Sequence, residues 1–374
     1  MHVIKGVATS TAAFVDSFPR GPFNEPVRLR GLPDFERELG GLSARSSGSC
    51  AIWQFFANGG TEAWAVRVGI GEVPPGADAL RGDRLTKTGL YALDKINDFN
   101  VLCIPRAAEL EPVGAMEAVV VDAERYCAER RAFLIVDIPK EVNDVPAMEA
   151  WMTRHQRLRH PNAAVYFPRV LVPDQLGGTA PLNIASSGSI AGVYAQTDAR
   201  RGVWDPPAGV DTTLQQVRQP AHRITDQEVL ALQALGINTL RQVTEEKVIC
   251  VGARTLVGAD TEGPDWKYIP VRRLALYIEQ SIDEGTRWAG FEPNAEPLWA
   301  ELRSSVGCFM NGLFRQGAFK GADPGEAYLV KCDETTTFPA DVIQGIVNIV
   351  LGFAPLKPAE FVVLRIGQAA RRPK

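Results

Sequence analysis

The sequence predicts an α/β body built on a doubly wound, largely parallel sheet, followed by a smaller α+β domain. Three observations carry this prediction. From residue 11 to about residue 250, strand-like apolar runs alternate with helical runs, the order that feeds parallel strands. One run, AFLIVDIPK at 132–140, is apolar almost throughout, as expected of a strand covered on both faces. Beyond residue 268 the order changes to two amphipathic helices and then short apolar strands, which suits a helical pair on a small sheet.

The elements follow in order. TAAFVDS and PVRLRG read as the first strands. Pro33 opens a short helix, PDFERELGG, with acidic residues in its first turn and Gly40-Gly41 at its end. SCAIWQFFA is a buried helix stopped by Asn58-Gly59-Gly60, and EAWAVRVG is a strand. Residues 71–89, rich in Gly, Pro, Asp and Arg, form a surface connection. NVLCIPR is the next strand, 115–131 a helix, AFLIVDIPK a strand and 146–160 a helix. AAVYFPRVLV is read as one strand, and 187–202 as a helix opening at a Ser/Gly cluster. After a Pro/Gly-rich loop, Thr225 and Glu228 form a capping-box pattern for a helix ending at Gly236, and KVICVGARTLV is a strand. The polar stretch 258–266 marks the last boundary. The expected domains are 1–90, packing with the body, 91–257, and 258–374 with a terminal arm at 356–374.

In the last domain a helix from Pro270 or Val271 to about Trp288 carries the stripe Val271, Leu274, Ala275, Ile278 and Ile282. A second, from Pro297 to about Gln316, carries Leu298, Leu302, Val306, Met310 and Leu313. The short FEPNAE link makes them antiparallel neighbours. AYLVKCDE and EFVVLRI supply strands. Phe361, Val362, Val363, Leu364 and Ile366 put apolar side chains on both faces of the final strand. Such a strand needs a partner edge, either in its own chain or in a neighbour.

Bulk composition narrows the function classes. At 374 residues, 45% hydrophobic and 22% charged, the chain is an ordinary globular protein of two or three domains. A net charge of −4 gives no electrostatic case for nucleic acid or an anionic membrane. No apolar run reaches spanning length, so no direct membrane insertion is expected, and the N-terminus lacks a clear cleavage site. The six cysteines fall in no C-x-x-C pair and read as reduced, buried thiols. His155 and His160, in TRHQRLRH, read as a solvated helix end.

Phosphate-binding, dinucleotide and zinc-protease motifs are missing, and no cofactor or metal is expected. The nearest approach to catalysis is SSGSIAGVYAQ at 186–196, with Ser187 or Ser189 as nucleophile and Asp137 as acid. A base is missing: no histidine occurs between His2 and His155. Ser189 then reads as a helix N-terminal residue. A serine hydrolase stands as the competing enzyme class.

Long stretches of the last domain, YIPVRRLALYIEQSIDEGTRWAGFEPN, LWAELRSSVGCFMNGLFRQGAFKG, AYLVKCDETTT and APLKPAEFVVLRI, resemble the C-terminal domain of contractile tail sheath proteins. That family is shared by myophage tails, contractile bacteriocins and extracellular contractile injection systems. GVATSTAAFVDSFPRGPFNEPVRL, FERELGGL and FFANGGTEAWAVRV resemble its opening, and the middle region resembles the sheath domain that is subtilisin-like in fold only. The resemblance implies a structural, non-enzymatic subunit. It implies stacked hexameric rings around an inner tail-tube protein, with baseplate and terminator or cap proteins as further partners and no nucleic acid. Assembly would occur in the host or producer cytoplasm, before incorporation into a virion tail or a released particle. It also implies exchange of terminal strands between subunits, through Glu360, Phe361, Val362, Val363, Leu364, Arg365 and Ile366 at one end and Val3 and Ile4 at the other. Only MHVIK precedes Gly6, so the family's N-terminal arm is either shortened or begins upstream. A tail-tube or baseplate component is the remaining alternative.

Overall fold

A computed structural model describes residues 2–69, 74–260, 266–356 and 362–371. They fall into two units. One takes Ala8–Arg272; the other joins residues 2–7 to those from Arg273 onward.

The first unit contains β1 (Ala12–Asp16), β2 (Pro26–Leu29), α1 (Leu32–Leu39), α2 (Ser47–Ala57), β3 (Ala63–Arg67) and α3 (Ala77–Arg81). Then come β4 (Val101–Cys103), α4 (Val113–Arg130), β5 (Phe133–Val136), α5 (Val145–Arg154), β6 (Ala163–Phe167), β7 (Val170–Val172) and β8 (Leu182–Ile184). It closes with α6 (Ser187–Arg201), β9 (Gln219–Pro220), α7 (Asp226–Ala234), β10 (Asn238–Thr244) and β11 (Lys247–Val251). Among the described residues these form an eight-stranded sheet in the order β11-β10-β6-β5-β4-β1-β3-β2. Its interior pairs are parallel, and the edge strands β2 and β11 are antiparallel. Every residue of β1, β5 and β6 is buried, which is why they read as apolar runs, broken only by Asp16 at the end of β1.

α2 and α6 pack closely along one another. A Cβ at Gly188 would come within 2.2 Å of the Ala51 carbonyl oxygen, and one at Gly192 within 2.6 Å of the Phe55 carbonyl oxygen. Glycine at both positions lets the two backbones touch.

Sequence and structure part at four places in this unit. The expected surface connection at 71–89 contains α3, with Leu80 fully buried. AAVYFPRVLV is two strands, not one: β6 ends at Phe167, and β7 pairs with β8 and β9 in a separate sheet. β10 lies between Gly236 and Lys247, where no element is expected, and it opens on the polar pair Asn238-Thr239. Both are fully buried in the strand, and the Asn238 amide donates to the Val165 carbonyl (3.2 Å) and the Arg254 carbonyl (2.8 Å). His155 is buried rather than solvated, with its ring against Trp151 and Nδ1 3.2 Å from Glu117 Oε2. The capping box at Thr225 and Glu228 is present. Of the cysteines, Cys103, Cys127, Cys250 and Cys332 are buried, Cys50 is half-buried and Cys308 is exposed.

The second unit takes α8 (Ile269–Gly285) from Arg273, then α9 (Glu296–Arg315), α10 (Pro324–Ala327), β12 (Tyr328–Lys331), α11 (Pro339–Gln344), β13 (Ile346–Phe353) and β14 (Val362–Ala369). Leu274, Ala275, Ile278 and Ile282 of α8 are buried, as are Leu298, Leu302, Val306, Met310 and Leu313 of α9. The strands form an antiparallel sheet, β12-β13-β14. Its central strand is not among those expected from the sequence, where only AYLVKCDE and EFVVLRI supply strands. Gly345, in the left-handed region at φ 75°, ends α11 and lets β13 begin at once. α8 stops at Gly285, short of Trp288, which lies in a 3-10 turn at Arg287–Phe291. Among the described residues, no helix is long and apolar enough to cross a membrane.

Candidate assembly site

The register of β14 fixes which way its main chain points. Ala370 N–H donates to the Gly345 carbonyl at 2.7 Å, and the pairing continues as Gln368 with Val347, Ile366 with Ile349 and Leu364 with Leu351. In an antiparallel ladder, alternate residues turn both main-chain groups to the same partner. Leu364, Ile366 and Gln368 therefore bond to β13. Val363, Arg365, Gly367 and Ala369 turn their N–H and C=O groups to the other edge, where β14 is the last strand of its sheet. β13 obeys the same alternation: Asn348 N–H donates to Thr337 Oγ1 and its carbonyl accepts from Thr336 Oγ1, both on the side away from β14.

The open edge has one occupied rung. Arg371 N–H donates to the Glu292 carbonyl at 2.9 Å, and Asn294 N–H donates to the Arg371 carbonyl at 3.3 Å. Among the described residues no backbone partner meets the preceding outward groups from Val363 to Ala369. An edge of this kind is a template for a further strand.

The side chains of β14 do not match the expected two-faced apolar pattern. Leu364 and Ile366 are buried at 4% each, whereas Val363 is 55% exposed and Arg365 lies on its face. The sheet has one core side, so the strand alternates as a half-covered strand must. Burying Leu364 and Ile366 contributes about 1.5–3 kcal/mol each. Glu360 and Phe361 lie outside the described residues. Val3 is 76% exposed, and Ile4 is 7% exposed, packed within its own unit against Gly285.

The serine-hydrolase candidates occupy structural positions. Ser187 and Ser189 are fully buried. Ser187 N–H donates to Asp137 Oδ1 at 2.9 Å, so Asp137 caps the first turn of α6. Ser189 Oγ donates to Gln54 Oε1 at 2.8 Å. Among the described residues no histidine bonds to either serine; His160, for one, accepts the Asn162 N–H. Burial pushes the Asp137 carboxyl up to about 6, against its backbone hydrogen bonds.

A second arrangement of this kind escaped the sequence reading. Ser46-Ser47-Gly48-Ser49 opens α2 as Ser186-Ser187-Gly188-Ser189 opens α6. Asp16, at the end of β1, accepts backbone hydrogen bonds from Ser17 and Gly48, as Asp137 does from Ser186 and Ser187. The repeated SSGS was the available signal. Both motifs mark helix starts capped by a buried aspartate at a strand end.

Residues 261–368 match the phage tail sheath C-terminal domain. No curated protein sequence matches the chain. Among solved structures, the chain is similar to the sheath complex of PVC, an extracellular contractile injection system, in its contracted state. The TM-score is 0.77 at 24% identity, covering 97% of this chain and 93% of that one. It is similar to the contracted helical sheath of the anti-feeding prophage, with a TM-score of 0.74 at 28% identity, covering 97% and 94%. A sheath tail protein of Listeria innocua gives a TM-score of 0.67 at 12% identity, covering 98% and 96%, a likeness of fold alone.

Proposed function

We infer that this chain is a member of the contractile tail sheath family and the structural subunit of a contractile sheath. The observation that carries this reading is the end-to-end fold likeness to a sheath solved in its contracted state, joined to the family match over the C-terminal domain. Subunits polymerise as stacked hexameric rings around an inner tube, with baseplate and cap proteins at the two ends. Assembly takes place in the producing cell, and the finished particle is a tail or a released injection machine. The α/β unit serves as a subtilisin-like body without its chemistry, consistent with Ser187 and Ser189 being fully buried and the Ser189 hydroxyl being bonded to Gln54.

The finer reading concerns β14. Val362 to Ile366, the described part of the expected exchange segment, form a main-chain ladder between subunits, and the outward groups from Val363 to Ala369 support it. Each added hydrogen bond contributes about 0.5–1.5 kcal/mol. Contraction then moves subunits as rigid bodies while the ladders hold the lattice together. The energy released is that of new intersubunit contacts, so no nucleotide is required.

Negative-stain imaging of the polymerised chain tests the assignment. The expected particles are wide, transversely striated tubes. Narrow, smooth tubes would assign the chain to the tail tube instead, and a chain that stays monomeric at high concentration would contradict both.

A further inference from the structure

Residues 2–7 lie along one face of α8 and the turn after it. His2 stacks on Trp288, with ring centroids 4.1 Å apart and an interplanar angle of 22°, and His2 Nε2 is 3.8 Å from Glu301 Oε1. Ile4 fills a notch at Gly285, where a Cβ would come within 2.8 Å of the isoleucine. Gly6 lies under Tyr277, where a Cβ would meet the phenol oxygen at 1.9 Å. Val7 N–H donates to Ser281 Oγ at 3.1 Å, and that hydroxyl also hydrogen-bonds Tyr277.

Tyr277, Ser281 and Gly285 are spaced four apart, and Trp288 follows three later. Tyr277, Ser281 and Gly285 form one stripe of α8, and Trp288 adds an aromatic ring from the turn beyond its end. The segment runs antiparallel to the helix, from Trp288 at His2 to Tyr277 at Gly6. Its side chains alternate, Ile4 inward and Val3 and Lys5 outward. This is the geometry of an extended peptide read by side-chain notches.

We propose that α8 carries a peptide-binding groove whose ligand is the chain's own segment of residues 2–7, seated in cis as a strap. The groove selects an aliphatic residue two positions before a glycine, with a ring two positions before the aliphatic. Gly285 admits the first, Tyr277 requires the second and Trp288 stacks on the third. This inference is independent of the β14 ladder, since the strap uses neither edge of that sheet. It also goes beyond the sheath assignment.

The Lys5–Gly6 bond reports on the strap, because trypsin must lift several residues on each side of a bond to cut it. On the soluble, unassembled full chain, cleavage after Lys5 is expected to be at least about tenfold slower than in Ile4→Ser, which empties the notch and leaves α8 untouched. Gly285→Val, which blocks the notch from the helix side, should accelerate the same cut. Protection should be unchanged on dilution. Equal rates in the wild type and Ile4→Ser would overturn the proposal. Protection that disappears on dilution would also overturn it, by making the occupant a second copy of the chain.

Discussion

Asp16 ends β1 fully buried, and that burial pushes its carboxyl up to about 7, against backbone hydrogen bonds from Ser17 and Gly48. Asp137 is pushed the same way, to about 6. Both hold their protons more tightly in the folded chain than unfolded, where an aspartate titrates near 3.8. Their contribution to stability is therefore full below about pH 4 and fades as pH rises through about 6 to 7. For Asp16 its upper bound is about 4 kcal/mol. Asp16→Asn should flatten this slope: from pH 5 to pH 8 the wild-type urea midpoint should fall more than the variant's, and parallel falls would reject the assignment. Glu124 of α4 is 3% exposed, with Oε1 lacking a partner, and burial pushes its carboxyl up to about 9. Glu124→Leu should stabilise the chain by about 1–2 kcal/mol, measured by the same titration at neutral pH. Such residues were only half legible. Asp137 stood out in the sequence as a potential catalytic acid because it follows an apolar strand; its capping role appears only once α6 is folded against it.

At the scale of elements, a pair of proline substitutions separates the two edges of β14. Arg365 turns its N–H to the open edge, so Arg365→Pro removes a donor there and leaves the β13 ladder intact. It should keep the thermal midpoint of the monomer within about 5 °C of wild type and lower the yield of polymer. Ile366→Pro removes a ladder bond and a buried side chain and should lower the midpoint of the monomer itself. If the two variants assembled equally well, the open edge would have no part in assembly. The elements also show what a sequence reveals. α8 and α9 were legible because apolar stripes and short links survive any tertiary context. β10 and β13 were not. One hides polar residues that find partners only inside the sheet, and the other is apolar on a pattern that a helix shares until Gly345 breaks it.

For the whole molecule, the two units divide at Arg272 and Arg273, inside α8, rather than at the expected boundaries after residues 90 and 257, and residues 2–7 return to the C-terminal unit. That return was illegible because six residues carry no period; only the notches on α8 give them a place. Deleting residues 360–374 should leave the α/β unit folded, with its far-ultraviolet signal largely retained, and should abolish ordered tubes. Tubes of normal width from the truncated chain would remove β14 from the account. The most direct measurement is a helical reconstruction of the assembled polymer at a resolution that traces strands. The expected result is a main-chain ladder that crosses from one subunit to the next at β14. It would be contradicted by a lattice in which β14 pairs only within its own chain, with its outward groups from Val363 to Ala369 left to solvent.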